Sequence, residues 1–269
     1  MSPPDHEVYA IRYATVDRLA SENFHARVSP DGPMPMDYFV WLVRSGGRAI
    51  VVDTGFAQPA ADKRGRRLLR SPADGLAALG IAASAVEDVV LTHLHYDHAG
   101  NLALFENARL HLQDAEMAYA TGPAMAHGQL GHAFDAEDVA GMVRRVYAGR
   151  VRFHAGDATV APGVTLHRIG GHTRGLQVVR VSTARGFVVL ASDATHFWAN
   201  LERRNPFPIF VDLQAMLDGY DRLLELAPSL DHVIPGHDPQ VLTRFPRVPG
   251  EHVGIACLHQ PPVGGTPRS

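Results

Sequence analysis

The sequence predicts an α/β chain folded as a sandwich of two sheets with helices on the outer faces. Three observations lead there. Short apolar, β-branched runs recur along the chain and are closed by turn residues. Their order is strands, then strand–helix units, then strands again and a further strand–helix unit, which suggests two similar halves. No Pro/Ser-rich linker or charge run interrupts that order, so residues 1–269 read as one domain, although 269 residues could also hold two small ones.

The elements follow from local chemistry. Val8 to Tyr13 is a first strand. Ser29 to Met36 is a proline-stiffened loop. Asp37–Arg44 and Arg48–Val52 form a hairpin around Ser45-Gly46-Gly47. Lys63-Arg64-Gly65-Arg66-Arg67 reads as a solvated loop. Ser71, Pro72 and Asp74 stand at the N-cap, N1 and N3 of a helix that Gly80 closes. Val89–Thr92 is a short buried strand, followed by a short helix to Phe105 and a strand over Ala108–Leu112. Asp135 caps a helix whose stripe is Val139, Met142, Val143, Val146 and Tyr147, with Arg144 and Arg145 at its negative end. Thr121 to Gly128 before it suits a mobile lid or an ordinary connection. Strands follow over Arg150–His154, Ala158–Ala161, Val164–Ile169, Leu176–Ser182 and Gly186–Ala191. Asp212 caps an amphipathic helix with Leu213, Met216, Leu217, Tyr220, Leu223 and Leu224 on its buried face, and Asp231–Ile234 is a last strand.

The chemistry is concentrated after Thr92, in His93-Leu94-His95-Tyr96-Asp97-His98-Ala99-Gly100. Extended residues alternate faces, so His93 and His95 share one, and a tight turn brings Asp97 and His98 beside them. Four N/O ligands at the mouth of a buried strand suit one or two divalent ions of the zinc type. The motif fills only part of two coordination shells and therefore demands partners downstream. They stand at three more strand ends: His172 after Ile169-Gly170-Gly171, Asp193 after Leu190-Ala191-Ser192, and His237 after Ile234-Pro235-Gly236. The set divides into His93, His95 and His172 for one ion and Asp97, His98 and His237 for the other, with Asp193 shared. Asp53, at another strand end, is a turn-former or a partner that orients a ligand histidine. Other histidines, such as His111, His154 and His167, lack this setting and read as structural.

Composition narrows the partners. A net charge of −3 gives no pull toward nucleic acid or anionic membrane. The single cysteine, Cys257, excludes an internal disulfide, fits a reducing compartment and leaves zinc to His and carboxylate. With no basic and apolar leader and no run near the ~20 residues of a membrane span, a cytoplasmic protein is expected. The expected partner is a small molecule, and a homodimer is compatible.

His93-Leu94-His95-Tyr96-Asp97-His98, Gly171-His172-Thr173, Asp193 and Gly236-His237 together resemble the ligand set of the metallo-β-lactamase superfamily, and Asp53-Thr54-Gly55 resembles its early Asp-Thr-Gly. The resemblance runs from about Asp37 to Asp238. It implies an αββα fold with two mixed sheets and two metals, zinc first, in the cleft between them. Within the superfamily the chain is most similar to N-acyl-homoserine lactonases, which implies a quorum-quenching lactone hydrolase. Two positions depart from that pattern. His196 stands where those lactonases carry a tyrosine that polarises the carbonyl, and Arg174 stands where Gly-His-Thr-Pro-Gly is usual.

Two ions ~3.5–4 Å apart share a water and lower its pKa to near 7, which gives a bridging hydroxide able to attack a lactone or ester carbonyl. Asp97 would collect the proton and pass it to the leaving alkoxide. His196 would donate a hydrogen bond to the carbonyl oxygen, its alternative being to pack under Trp198. Met34, Met36, Phe56, Trp198 and Phe207 are candidates for an acyl pocket, with ordinary core as the alternative and the better reading for Phe39. A glyoxalase II-like thioesterase or other esterase shares nearly the same ligands, and a metal-binding protein without activity is the reading from another class. A true β-lactamase would carry cysteine at Asp193. A flavin-linked diiron protein would carry glutamate at His95.

Overall fold

Alternate residues of the first strand go to different cores, and the layered architecture follows from that period of two. The computed structural model describes residues 3–45, 47–248 and 254–264. Along the chain these form β1 (Glu7–Val16), β2 (Met36–Ser45), β3 (Arg48–Val52), α1 (Gln58–Arg64), β4 (Arg67–Leu68), α2 (Pro72–Ala77), β5 (Asp88–Val90), α3 (Tyr96–Ala99), β6 (Arg109–Gln113), α4 (Asp114–Ala120), α5 (Gly128–Gly131), α6 (Ala136–Tyr147) and β7 (Val151–His154). The second part holds β8 (Ala158–Ala161), β9 (Val164–Arg168), β10 (Gln177–Thr183), β11 (Gly186–Ser192), α7 (Trp198–Glu202), α8 (Leu213–Leu226), β12 (Val233–Pro235), α9 (Val241–Arg244) and β13 (Ile255–Cys257).

Among the described residues, one sheet has eight strands in the order β13-β1-β2-β3-β5-β6-β7, with β4 also on β1, and the other has five in the order β12-β11-β10-β9-β8. Both are mixed: β3, β5, β6 and β7 run parallel, as do β11 and β12, and the remaining pairs are antiparallel. Val8 and Ala10 of β1 join Trp41, Val52, Val179, Val188, Leu190 and Ile234 in a core between the two sheets. Tyr9, Ile11 and Tyr13 face the other way, against Leu76 of α2, Ala99 of α3 and Met142 of α6. In the second sheet Val189 and Ala191 point outward to Leu201 of α7 and to Tyr220 and Leu223 of α8. The result is a helix–sheet–sheet–helix sandwich, as the sequence predicts. No helix among the described residues is long and apolar enough to cross a membrane.

The expected caps are present. Ser71 accepts from Ala73 N–H, Asp135 from Glu137 N–H and Asp212 from Ala215 N–H. Several expectations need correction. The basic cluster is not a loop: Lys63 and Arg64 close α1, where Gly65 takes φ +64 and ends the helix. Tyr147 is 90% exposed, so the stripe of α6 buries Met142 and not its last residue. Leu213 and Leu224 face solvent, while Met216, Tyr220 and Leu223 form the buried face of α8. The strand before His93 ends at Val90, and Asp231 lies in a 3-10 turn ahead of β12. A further strand, β13, pairs with β1. The two halves are therefore unequal. Gly46 lies outside the described residues.

A candidate dinuclear metal centre between the sheets

The site lies beyond the C-terminal ends of β3, β5, β9, β11 and β12, where strand-end loops converge. His93 and His95 come from the loop after β5. The chain then turns into the one-turn helix α3, which carries Asp97 and His98. His172 follows β9, Asp193 follows β11 and His237 follows β12. All seven side chains are at least nine-tenths buried.

Asp193 divides the group. Its Oδ2 lies 3.3 Å from His172 Nε2 and 3.9 Å from His93 Nε2. Its Oδ1 lies 3.3 Å from His98 Nε2 and 3.0 Å from His237 Nε2. His172 Nε2 is 3.2 Å from His93 Nε2 and 3.0 Å from His95 Nδ1. Asp97 Oδ2 stands 3.5 Å from His98 Nε2 and 3.8 Å from His237 Nε2. One carboxylate oxygen thus faces His93, His95 and His172, and the other faces Asp97, His98 and His237. That is the partition read from strand-end spacing.

The outward ring nitrogens determine what points inward. His172 Nδ1 lies 2.6 Å from the Ile209 carbonyl and His237 Nδ1 lies 2.9 Å from that of Asp37. A carbonyl only accepts, so both nitrogens carry the proton. His98 Nδ1 donates to Asp53 Oδ2 at 2.7 Å. His93 Nδ1 sits 3.1 Å from Thr92 Oγ1, whose own proton goes to Asp53. Burial first, then neighbouring histidines, hold His93 and His95 well below the usual imidazole range, and burial lowers His172 against the pull of Asp193. With their outer nitrogens protonated, His93 and His172 present bare Nε2 lone pairs to each other at 3.2 Å, and His95 Nδ1 lies 3.0 Å from His172 Nε2. His98 Nε2 is buried without a hydrogen-bond partner. Lone pairs so arranged repel each other unless a cation stands among them, so the donor set fits divalent metal.

The carboxylates complete the charge pattern. Burial alone would raise Asp193, but His196, His98 and His237 outweigh it and hold the carboxyl well below its usual range. Asp97 is likewise depressed, burial being outweighed by His98 and His237. His98 is raised well above the usual value, because Asp193, Asp97 and Asp53 overcome the cost of burial.

Three buried polar residues brace this arrangement. Asp53, in the left-handed region at φ +62, receives Thr92 N–H, Thr92 Oγ1–H and His98 Nδ1–H. Glu116 of α4 accepts Leu94 N–H with one oxygen and Gly175 N–H with the other, joining the His93–His95 loop to the His172 loop. Gln177 donates to the Leu91 carbonyl and so ties β10 to the end of β5. The sequence indicates Asp53 by its strand-end setting. Glu116 and Gln177 carry no such local signal.

His196 is placed differently from its expected role. Its Nε2 lies 3.0 Å from Asp193 Oδ2, and its ring stacks on Phe207 with centroids 3.3 Å apart. Burial lowers its pKa to about 3 despite Asp193, so it is neutral and has one N–H. A carboxylate can only accept, so that N–H goes to Asp193 and leaves Nδ1, buried and unpartnered, as an acceptor. The donor wanted for a substrate carbonyl is already engaged, and the ring packs on Phe207 and not under Trp198.

The acyl-pocket candidates also lie elsewhere. Phe56 packs in the outer core against Tyr13 and Tyr38. Trp198 fills the inter-sheet core and donates to the Val233 carbonyl. Met36 is buried at the start of β2, Met34 is half-buried with its N–H on the Arg18 carbonyl, and Phe207 is the floor under His196. The open space is on the other side of His172. A small cleft of about 60 Å³ is walled by His95, His172, Tyr119, Leu130 and Val211. Tyr119, Leu130 and Val211 also line a cavity of about 930 Å³, one wall of which is the 122–127 segment read as a lid or connection.

Comparison with known proteins agrees with this geometry. The model of the metallo-beta-lactamase superfamily matches residues 34–240, and the chain belongs to that superfamily. A probable metallo-hydrolase of Mycobacterium tuberculosis is 27% identical over 250 residues, covering 82% of this chain and 74% of its own. An N-acyl homoserine lactonase of a Bacillus species is 25% identical over 238 residues, covering 82% and 88%. The crystal structure of a quorum-quenching N-acyl homoserine lactone lactonase superposes with a TM-score of 0.72 at 23% identity, over 89% of this chain and 94% of that one. The chain is a metallo-hydrolase of this superfamily, with a His/Asp cluster that suits divalent metal.

Proposed function

We propose that the protein is a dinuclear, zinc-type hydrolase that opens the ester bond of a lactone, with an N-acyl-homoserine lactone as the model substrate. One observation carries the reading: Asp193 offers one oxygen to each of two buried clusters of inward-facing imidazole nitrogens. His93, His95 and His172 would hold one ion and Asp97, His98 and His237 the other. The ester-type substrate is supported by the lactonase relative and by the large cavity that opens beside His172.

When bound, ions of the zinc type supply Lewis-acid polarisation of a carbonyl and a water acidified toward neutral pH. The chain supplies the remainder. Asp53, Thr92 and the backbone carbonyls of Asp37 and Ile209 hold His98, His93, His237 and His172 in orientation. Asp97 is held ionised by His98 and His237, so its Oδ2 is the atom able to take a proton from the nucleophile and return it to the leaving alkoxide. His196 holds Asp193 through Nε2 and is a positioning residue.

The test is a hydrolysis panel with zinc-loaded protein in weak buffer and a pH indicator. It holds acyl-homoserine lactones, simple γ- and δ-lactones, a thioester, a β-lactam and a phosphodiester. Lactones should be opened with the highest kcat/KM. Thioesters cleaved well with every lactone untouched would move the protein to another branch of the superfamily.

A further inference from the structure

We propose that the large cavity beside His172 is a subsite for a carboxylate at the remote end of the substrate, read by Arg168 and Arg174. This deepens the hydrolase reading above and rests on it. The cavity of about 930 Å³ is of the size that encloses a drug-sized ligand. Its walls are short or apolar, among them Ala115, Ala118, Ala124, Ile169 and Ala215. It meets the small cleft at Tyr119, Leu130 and Val211, and that cleft is walled by His95 and His172. A substrate with its carbonyl at the metal cluster therefore has the larger cavity one side chain away for a tail.

The charges along this path are unusual for an acyl pocket. Arg168 and Arg174 both line it and both are exposed. Among the described residues, neither guanidinium has a carboxylate within ion-pair distance. Arg168 donates to the Arg174 carbonyl at 3.1 Å, which ties the two to one rim. Arg174 lies 5.8 Å over the ring of Tyr119. The one carboxylate in the lining, Asp212, is engaged at the cap of α8. Tyr119, 5% exposed, lines both cavities and lies under the Arg174 guanidinium. Two guanidiniums without a carboxylate partner on the wall of this cavity suit a carboxylate, which takes charge-assisted hydrogen bonds from arginine. A neutral alkyl chain would leave both guanidiniums without a counter-charge. The substrate class is thus an acyl or lactone compound whose tail ends in a carboxylate.

Two pairs of probes test this with the zinc-loaded full chain. The first pair is octanedioate and octanoate, measured by titration calorimetry. The second is the mono-4-nitrophenyl ester of octanedioate and 4-nitrophenyl octanoate, measured by release of nitrophenolate. The wild type should favour the doubly functional member of each pair by about 10-fold or more. Arg168→Gln with Arg174→Gln should bring both ratios to about one, Arg174→Lys should keep part of the preference, and added salt should shrink it. A wild type without the preference, or a double variant that keeps it, overturns the proposal. If neither ester is cleaved but octanedioate binding still depends on the arginines, the hydrolase reading falls and the subsite stands.

Discussion

The two sides of Asp193 differ in charge although they share its carboxylate. On one side stand three neutral imidazoles, His93, His95 and His172, each lowered by burial. On the other, Asp97 stands beside His98, whose affinity for a proton is raised by three carboxylates. The first side has little to lose to protons. The second competes with them directly, because a metal must displace the proton of His98. The same ligand type, imidazole, thus meets protons differently on the two sides, because burial dominates on one and carboxylates on the other.

The largest expected effect removes what the sides share. Asp193→Ala should drop metal content well below two per chain and kcat/KM by about 10³-fold or more, since several kcal/mol of transition-state stabilisation depend on the pair. Elemental analysis beside kinetics checks this. Loss of a single ion with activity kept would show that Asp193 serves one side only.

Next comes His196. From the sequence alone, His196→Phe leaves metal content intact and costs only a carbonyl donor. With Nε2 on Asp193, the expected result is a loss of metal affinity of about 10–100-fold, as for other partners that orient a ligand. Competition with a fluorescent chelator measures it. Unchanged affinity would return His196 to the substrate.

Acidification should separate the sides. His98 is raised, so its proton is bound at neutral pH and competes harder as pH falls. The other three histidines are lowered by burial, so protons compete less there. His172→Ala, which leaves the His98 side, should release its ion at a pH about one unit higher than His237→Ala, which leaves the three-histidine side. Equal release profiles would erase the distinction drawn here.

The smallest effect on chemistry is expected at Glu116. Glu116→Gln swaps one acceptor for an NH₂ that must face a backbone N–H, at a cost of about 1–3 kcal/mol in urea unfolding. Activity of the folded fraction should change only a few-fold. A neutral effect on stability would mean that the two loops do not need this brace.

What the sequence discloses depends on whether the signal is local. His93 to His98 lie within one loop, and His172, Asp193 and His237 each follow an apolar run that ends in a small residue, so the convergence of these seven side chains is legible. The caps at Ser71, Asp135 and Asp212 are legible for the same reason. Glu116 is not, because its partners Leu94 and Gly175 are 22 and 59 residues away and nothing around Glu116 announces them. Phe56 and Trp198 were expected near substrate, but an aromatic beside a ligand looks the same in sequence whether it faces a cavity or a core. Tyr147 fits the helical stripe of α6, yet among the described residues it is left 90% exposed, and periodicity cannot reveal a missing neighbour. The three residues of β13 are too few to show a period at all.

The ligands are also divided between the sheets. His93, His95, Asp97 and His98 follow β5 of the eight-stranded sheet, while His172, Asp193 and His237 follow strands of the five-stranded one. Neither sheet holds a complete coordination shell, so the site exists only after the two have docked. On the proposed reading, loading would be a late event in the life of the chain, and a captured ion would act as a clasp across the seam. Such a clasp slows escape from the native state while leaving the approach to it untouched. A chelator should therefore shorten the lifetime of the folded protein under protease attack far more than it slows refolding from urea.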